Sequence, residues 1–165
     1  MSNKVVFSLL VDNEAGVLSR VAGLFSRRGY NIDSLTVGET QDKRHSRMTV
    51  VAEGEPDVLE QIEKQLAKLV DVSKIQMLPA DASVCRELIL IKVAAKPEER
   101  AQVIAIADIF RAKIVDVGEE SMMIELTGNE SKLDACIKLL EKFTILELAR
   151  TGITGLSRGS ENSLS

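Results

Sequence analysis

The residues with chemistry to offer form one dense cluster and several scattered singles. The cluster is Asp12-Asn13-Glu14-Ala15-Gly16, inside "LLVDNEAGVLSRVAGLF", where an apolar strand gives way to an amphipathic helix. A helix N-terminus presents unpaired backbone N–H groups and a partial positive charge, so it attracts a carboxylate. Gly16 falls in the first turn, where a missing side chain lets a ligand oxygen approach the backbone. The Asn13 amide can cap the helix, or its oxygen can accept from an ammonium group. Together these groups suit a free α-amino acid: carboxylate on the helix end, ammonium on the amide oxygen, aliphatic side chain against Val or Leu neighbours. The competing reading is a plain Asx cap followed by an inconsequential glycine, and the segment taken alone slightly favours it.

The singles assemble no catalytic set. The one histidine, His45, reads as a solvated residue of a hairpin loop, between Arg44 and Ser46, with no carboxylate or cysteine pattern beside it. Glu60, Glu63, Glu98, Glu99 and Glu141 are spread along helix faces, where charge marks a solvated surface. HExxH, GxSxG, GxxxxGK and GxGxxG are all missing, and no nucleophile–base pair can be built. Cys85 and Cys136 lack CxxC spacing, so they read as buried thiols rather than a disulfide or metal site.

Composition narrows the class further. A chain of 165 residues with 45% apolar content can bury a real core, and the scarcity of aromatics (3%) rests that core on Val, Ile and Leu. A net charge of −4 argues against nucleic acid, which draws on a Lys/Arg surplus. No apolar run approaches the length of a membrane span and no leader pattern opens the chain, so the expected compartment is the cytoplasm.

Periodicity places these residues on two similar halves. The first half reads strand 4–11, helix 15–28, strand 31–39, strand 46–53, helix 56–69, strand 71–78. Leu18, Val21, Ala22 and Phe25 share a face of the first helix, and Gly29 stops it. Val58, Leu59, Ile62, Leu66 and Leu69 stripe the second, which Pro56 and Asp57 open. Periodicity lapses around Pro79–Ser83, and the order then restarts as strand 87–95, helix 98–111, strands 113–118 and 121–127, helix 130–142, strand 144–151. The fold class is therefore α+β, two tandem ferredoxin-like βαββαβ units of about 75 residues each. The expected division is a first domain at 4–78, a linker at 79–84, a second domain at 85–156 and a flexible tail at 157–165. Such units can bind RNA by stacking bases on sheet aromatics, but no aromatic pair stands at strand spacing here.

The second half offers an internal control for the opening cluster. Its corresponding join is "VAAKPEERAQ", where Pro97 removes a donor and Glu98 and Glu99 would repel a ligand carboxylate. Only the first unit looks equipped to take an amino acid. A helix from Ala15 to Arg28 is roughly 20 Å long at 1.5 Å per residue, and Asn31 lies beyond its far end. Asn13 and Asn31 of one chain therefore cannot hold the same small ligand. Two chains pairing antiparallel through an unpaired edge strand would bring the neighbour's Asn31 to the first chain's helix N-terminus. The expectation is a homodimer with two equivalent interface sites.

"DNEAGVLSRVAGLFSRRGYNIDSLTVG", "SRMTVV", "LEQIEKQLAKLVDV" and "ARTGITGLSRG" resemble the small, regulatory subunit of acetolactate synthase (acetohydroxyacid synthase), from residue 4 to about 159. The first unit is similar to an ACT domain, an amino-acid-sensing module, and the second to the family's ACT-like C-terminal domain. The resemblance implies a chain with no active site or cofactor of its own. Its partner would be a catalytic large subunit that uses thiamine diphosphate, Mg²⁺ and FAD in branched-chain amino acid biosynthesis. It implies activation of that partner and feedback inhibition by valine, or by leucine or isoleucine. The family's valine positions fall on Asn13, Gly16 and Asn31, with Ala15, Val17 and Ile32 as neighbours. Three alternatives stand beside it: an ACT-type sensor for another enzyme, a subunit that only stabilises its partner, and an independent enzyme. The intact Asn13/Gly16/Asn31 set argues against the second, and the missing catalytic constellation against the third.

Overall fold

The computed structural model describes residues 3–160. In the first half, β1 (Asn3–Asp12), α1 (Val17–Arg28), β2 (Asn31–Glu39), β3 (His45–Gly54), α2 (Pro56–Ala67) and β4 (Val72–Met77) follow in the βαββαβ order. The strands form an antiparallel sheet in the order β2-β3-β1-β4, so β2 lies at an edge. Phe7, Leu9 and Val11 of β1 alternate with residues of the opposite face, and they meet Val21 and Phe25 of α1 and Ile62 and Leu66 of α2.

The helix ends follow local chemistry. Gly29 ends α1 in the left-handed region (φ 69°), its N–H reaching the Phe25 and Ser26 carbonyls. Pro56 opens α2, with Asp57 in the first turn. The face of α1 differs from the sequence reading: Val17, Val21, Leu24 and Phe25 are buried, and Leu18 is half exposed. Apolar residues at Leu18 and Ala22 widen the stripe enough that two neighbouring phases satisfy a 3.6-residue period, and tertiary packing selects one of them.

The second half repeats the order with β5 (Ser83–Ala94), a 3-10 turn at Pro97–Glu99, α3 (Arg100–Phe110), β6 (Lys113–Val117), β7 (Ser121–Gly128), α4 (Glu130–Leu140) and β8 (Ile145–Arg150). Its strand order is β6-β7-β5-β8, and Ile89, Ile91, Ile124 and Leu133 are among its fully buried residues. The chain is thus two tandem ferredoxin-like units. Arg150 staples the second one, giving Nε and Nη2 to the buried Glu87 carboxylate (3.0 and 2.8 Å) and Nη1 to Asp134 (2.8 Å).

A ninth strand, β9 (Thr154–Ser157), has no counterpart in the sequence reading, and it pairs with β5. By packing, residues 3–85 and 153–160 form one unit, and Arg86–Gly152 another. Within the first of these, Arg158 N–H donates to the Ala82 carbonyl (2.8 Å), and Thr36 Oγ1 donates to the Ile153 carbonyl (3.2 Å). Ser83, expected in a linker, is therefore the first residue of β5, and Ser157, expected in the tail, closes β9. Positions 161–165 of the expected tail lie outside the described residues.

Candidate functional site

The join between β1 and α1 is held by the entrance to β4 and by the β2–β3 hairpin. Asp12 N–H donates to the Asp71 carbonyl at the entrance to β4 (2.9 Å), and Asn13 N–H donates to the Arg44 carbonyl (2.9 Å). The Asn13 side chain faces the β2–β3 hairpin. Its Nδ2 donates to the Lys43 carbonyl (2.9 Å) and to Glu39 Oε1 (3.3 Å), and its Oδ1 accepts from Ser46 Oγ (3.1 Å). Asn13 therefore does not cap α1, contrary to the Asx reading.

The cap residue is Gly16 itself, one step earlier than the first-turn position expected from sequence. It sits at φ 87°, in the left-handed region, with no side-chain cap. The first i to i−4 bond of the helix runs from Arg20 N–H to the Gly16 carbonyl (3.0 Å), and Val17 N–H makes only a long bond to Glu14 (3.5 Å). Leu18 and Ser19 N–H thus have no intrahelical acceptor, which is the condition for binding an anion there. Ala15 is exposed beside them, whereas Val17 points into the core.

The sequence reading gave Arg20 no role. In the structure it bridges to Asp71, with Nε to Oδ2 at 2.5 Å and Nη2 to Oδ1 at 3.0 Å. A Cβ on Gly16 would lie 2.9 Å from Arg20 Nη1, so the guanidinium flanks the cap. Hydrogen bonding to Arg20 holds the Asp71 carboxyl below the usual range, and the same bond raises the Arg20 pKa. The two residues are 51 positions apart, and no local pattern links them.

Asn31 is the first residue of β2, exposed, with Nδ2 3.4 Å from Asp33 Oδ1. Ile32 packs partly buried against the core. Asn13 bonds to Glu39, the last residue of the same strand. Eight steps of strand separate Asn31 from Glu39, about 26 Å at 3.3 Å per residue. One chain thus brings Asn13, Ala15 and Gly16 together and leaves Asn31 and Ile32 at the far end of an edge strand. Among the described residues no strand pairs with the outer edge of β2.

The corresponding join of the second unit is closed by its own carboxylate, since Glu99 Oε1 accepts from Lys96 N–H (3.0 Å). His45 is a correction to the sequence reading. It opens β3 rather than lying in the loop, and Asp42 Oδ2 stands 3.4 Å from its Nδ1. Among the described residues no group of three His, Cys, Asp or Glu side chains is placed to hold a metal, and no helix is long and apolar enough to cross a membrane.

Comparisons with known proteins agree with this architecture. Residues 7–74 match the family described as the AHAS small subunit-like ACT domain, and residues 86–159 match the small subunit of acetolactate synthase. The chain is 53% identical to the acetolactate synthase small subunit of Mycobacterium bovis, over 92% of this chain and 90% of that one. It is 49% identical to that of Haemophilus influenzae, over 96% and 98%. The crystal structure of the acetolactate synthase small subunit from Thermotoga maritima superposes with a TM-score of 0.89 at 42% identity, covering 96% of this chain and 99% of that one.

Proposed function

We propose that this chain, which belongs to the acetolactate synthase small-subunit family, is the non-catalytic subunit that senses a branched-chain amino acid for its enzyme. It docks a catalytic large subunit, which carries the thiamine diphosphate, Mg²⁺ and FAD, raises its activity, and makes it inhibitable by valine. The valine site lies between two ACT units. One chain contributes Asn13 and Gly16, with Ala15 and Val17 beside them, and the partner subunit contributes Asn31 and Ile32.

One observation carries this reading: Asn13 is hydrogen-bonded to Glu39, at the far end of the edge strand that Asn31 begins. If β2 pairs antiparallel with its symmetry mate along its full length, Asn31 of the partner subunit falls opposite Glu39, and so beside Asn13. The open Leu18 and Ser19 N–H groups give that end of the site its positive potential for a carboxylate. Inhibition then requires that valine bind one arrangement of the dimer more tightly than another, because equal affinity shifts no population. Valine bridging two chains rigidifies the pair and changes the surface offered to the catalytic subunit.

The test is calorimetric titration of valine, leucine and isoleucine into the purified chain, with oligomer size followed in parallel. It is repeated in the assembled enzyme with Asn13→Ala. Valine binding that tightens the dimer, with inhibition lost and activation kept in Asn13→Ala, is the expected result. No uptake of any of the three amino acids refutes the proposal.

A further inference from the structure

We propose that Glu39 binds the ammonium group of the effector and thereby selects α-amino acids over their 2-oxo acid analogues. This rests on the effector site proposed above and adds to it a residue that sequence reasoning passed over. A zwitterion needs an acceptor for its ammonium, and the sequence reading gave that task to the Asn13 oxygen alone. That oxygen already accepts from Ser46 Oγ at 3.1 Å. The carboxylate of Glu39 stands at the same place, with Oε1 3.3 Å from Asn13 Nδ2.

Among the described residues no hydrogen bond engages the other oxygen, Oε2. Glu39 is exposed, so a small molecule can reach it. The antiparallel pairing of β2 sets Asn31 of the partner subunit opposite Glu39, which puts the carboxylate inside the shared site rather than outside it. An ammonium has three N–H donors. Glu39 Oε2 takes one in a charge-assisted bond, and the second lone pair of Asn13 Oδ1 takes another. A 2-oxo acid offers no donor to either, and its carbonyl oxygen would face a carboxylate.

Glu39→Gln tests the charge alone, because glutamine keeps an oxygen for Asn13 Nδ2. Glu60→Gln, the same change on α2, serves as the control, and thermal melts of both variants verify their fold. By calorimetry on the full chain, Glu39→Gln is expected to raise the Kd for valine about tenfold, the size of one charge-assisted bond. A rise of fivefold or more that is absent from Glu60→Gln supports the assignment. A smaller rise, or an equal one in Glu60→Gln, overturns it while leaving the effector site standing. Failure of the unmodified chain to bind valine, leucine or isoleucine overturns the site and Glu39's role together.

Discussion

Replacing Gly16 by alanine isolates what the cap of α1 contributes. Gly16 and Gly29 bracket the helix, both in the left-handed region (φ 87° and 69°), where a side chain costs about 1–2 kcal/mol. At Gly29 an added Cβ meets nothing within 4 Å, so Gly29→Ala reads that strain alone. At Gly16 the Cβ would come within 2.9 Å of Arg20 Nη1. That guanidinium is tethered to Asp71 through its other two nitrogens, so it cannot move aside without loosening the pair. Gly29→Ala is therefore expected to lower the melting temperature of the first unit by about 4–16 °C, at 4–8 °C per kcal/mol for a unit of this size. Gly16→Ala should lower it further. The chain has one tyrosine and no tryptophan, and Tyr30 packs edge-on to Phe25 at 6.0 Å between ring centroids, so tyrosine emission reports the first unit alone. If Gly16→Ala melts at or above Gly29→Ala, the coupling between cap and ion pair is wrong. If neither variant melts lower than the parent chain, so is the left-handed geometry.

Two further outcomes follow from contacts within the first unit. Because the folded Asp71 carboxyl titrates below its unfolded value, its contribution to stability is complete above about pH 4, the unfolded range. It is lost as the pH falls through the lower folded value. Asp71→Asn should therefore destabilise the first unit at neutral pH and flatten its acid denaturation curve, whereas an unchanged curve would deny the pair that role. Gly155→Ala would set a Cβ 2.6 Å from Cys85 Sγ and 3.0 Å from the Val84 carbonyl, and such overpacking costs about 1–3 kcal/mol. Faster amide exchange across Thr154–Ser157 is the expected sign, and unaltered protection there would show that β9 tolerates the change.

The elements that local periodicity and capping control were legible from sequence. The Gly29 stop, the Pro56 start and the edge position of β2 all follow from residues near one another in the chain or from the βαββαβ order itself. What was missed depends on distant partners. The segment "ITGLS" is short and broken by a glycine, and it becomes a strand by pairing with β5, where Gly155 lies close to Cys85. A cap was the competing reading for the Asn13 side chain because capping is local, yet its partners come from a hairpin whose register no single sequence fixes. Arg20 and Asp71 meet for the same reason, across α1 and β4. Asn13, Gly16 and Asn31 could be singled out by residue type, whereas Glu39 emerged only once Asn13's hydrogen bonds were in view.

The central claim is that one effector site is built from two chains, and a mixed dimer tests it most directly. Asn13→Ala and Asn31→Ala chains, each with a different tag, are co-expressed and the heterodimer is purified through both tags. A shared site leaves this heterodimer one intact pocket, with Asn13 from one chain and Asn31 from the other, and one ruined pocket. Calorimetry should then find one tight valine site per heterodimer and none in either mutant homodimer. A heterodimer that binds no better than the two homodimers would contradict the shared site.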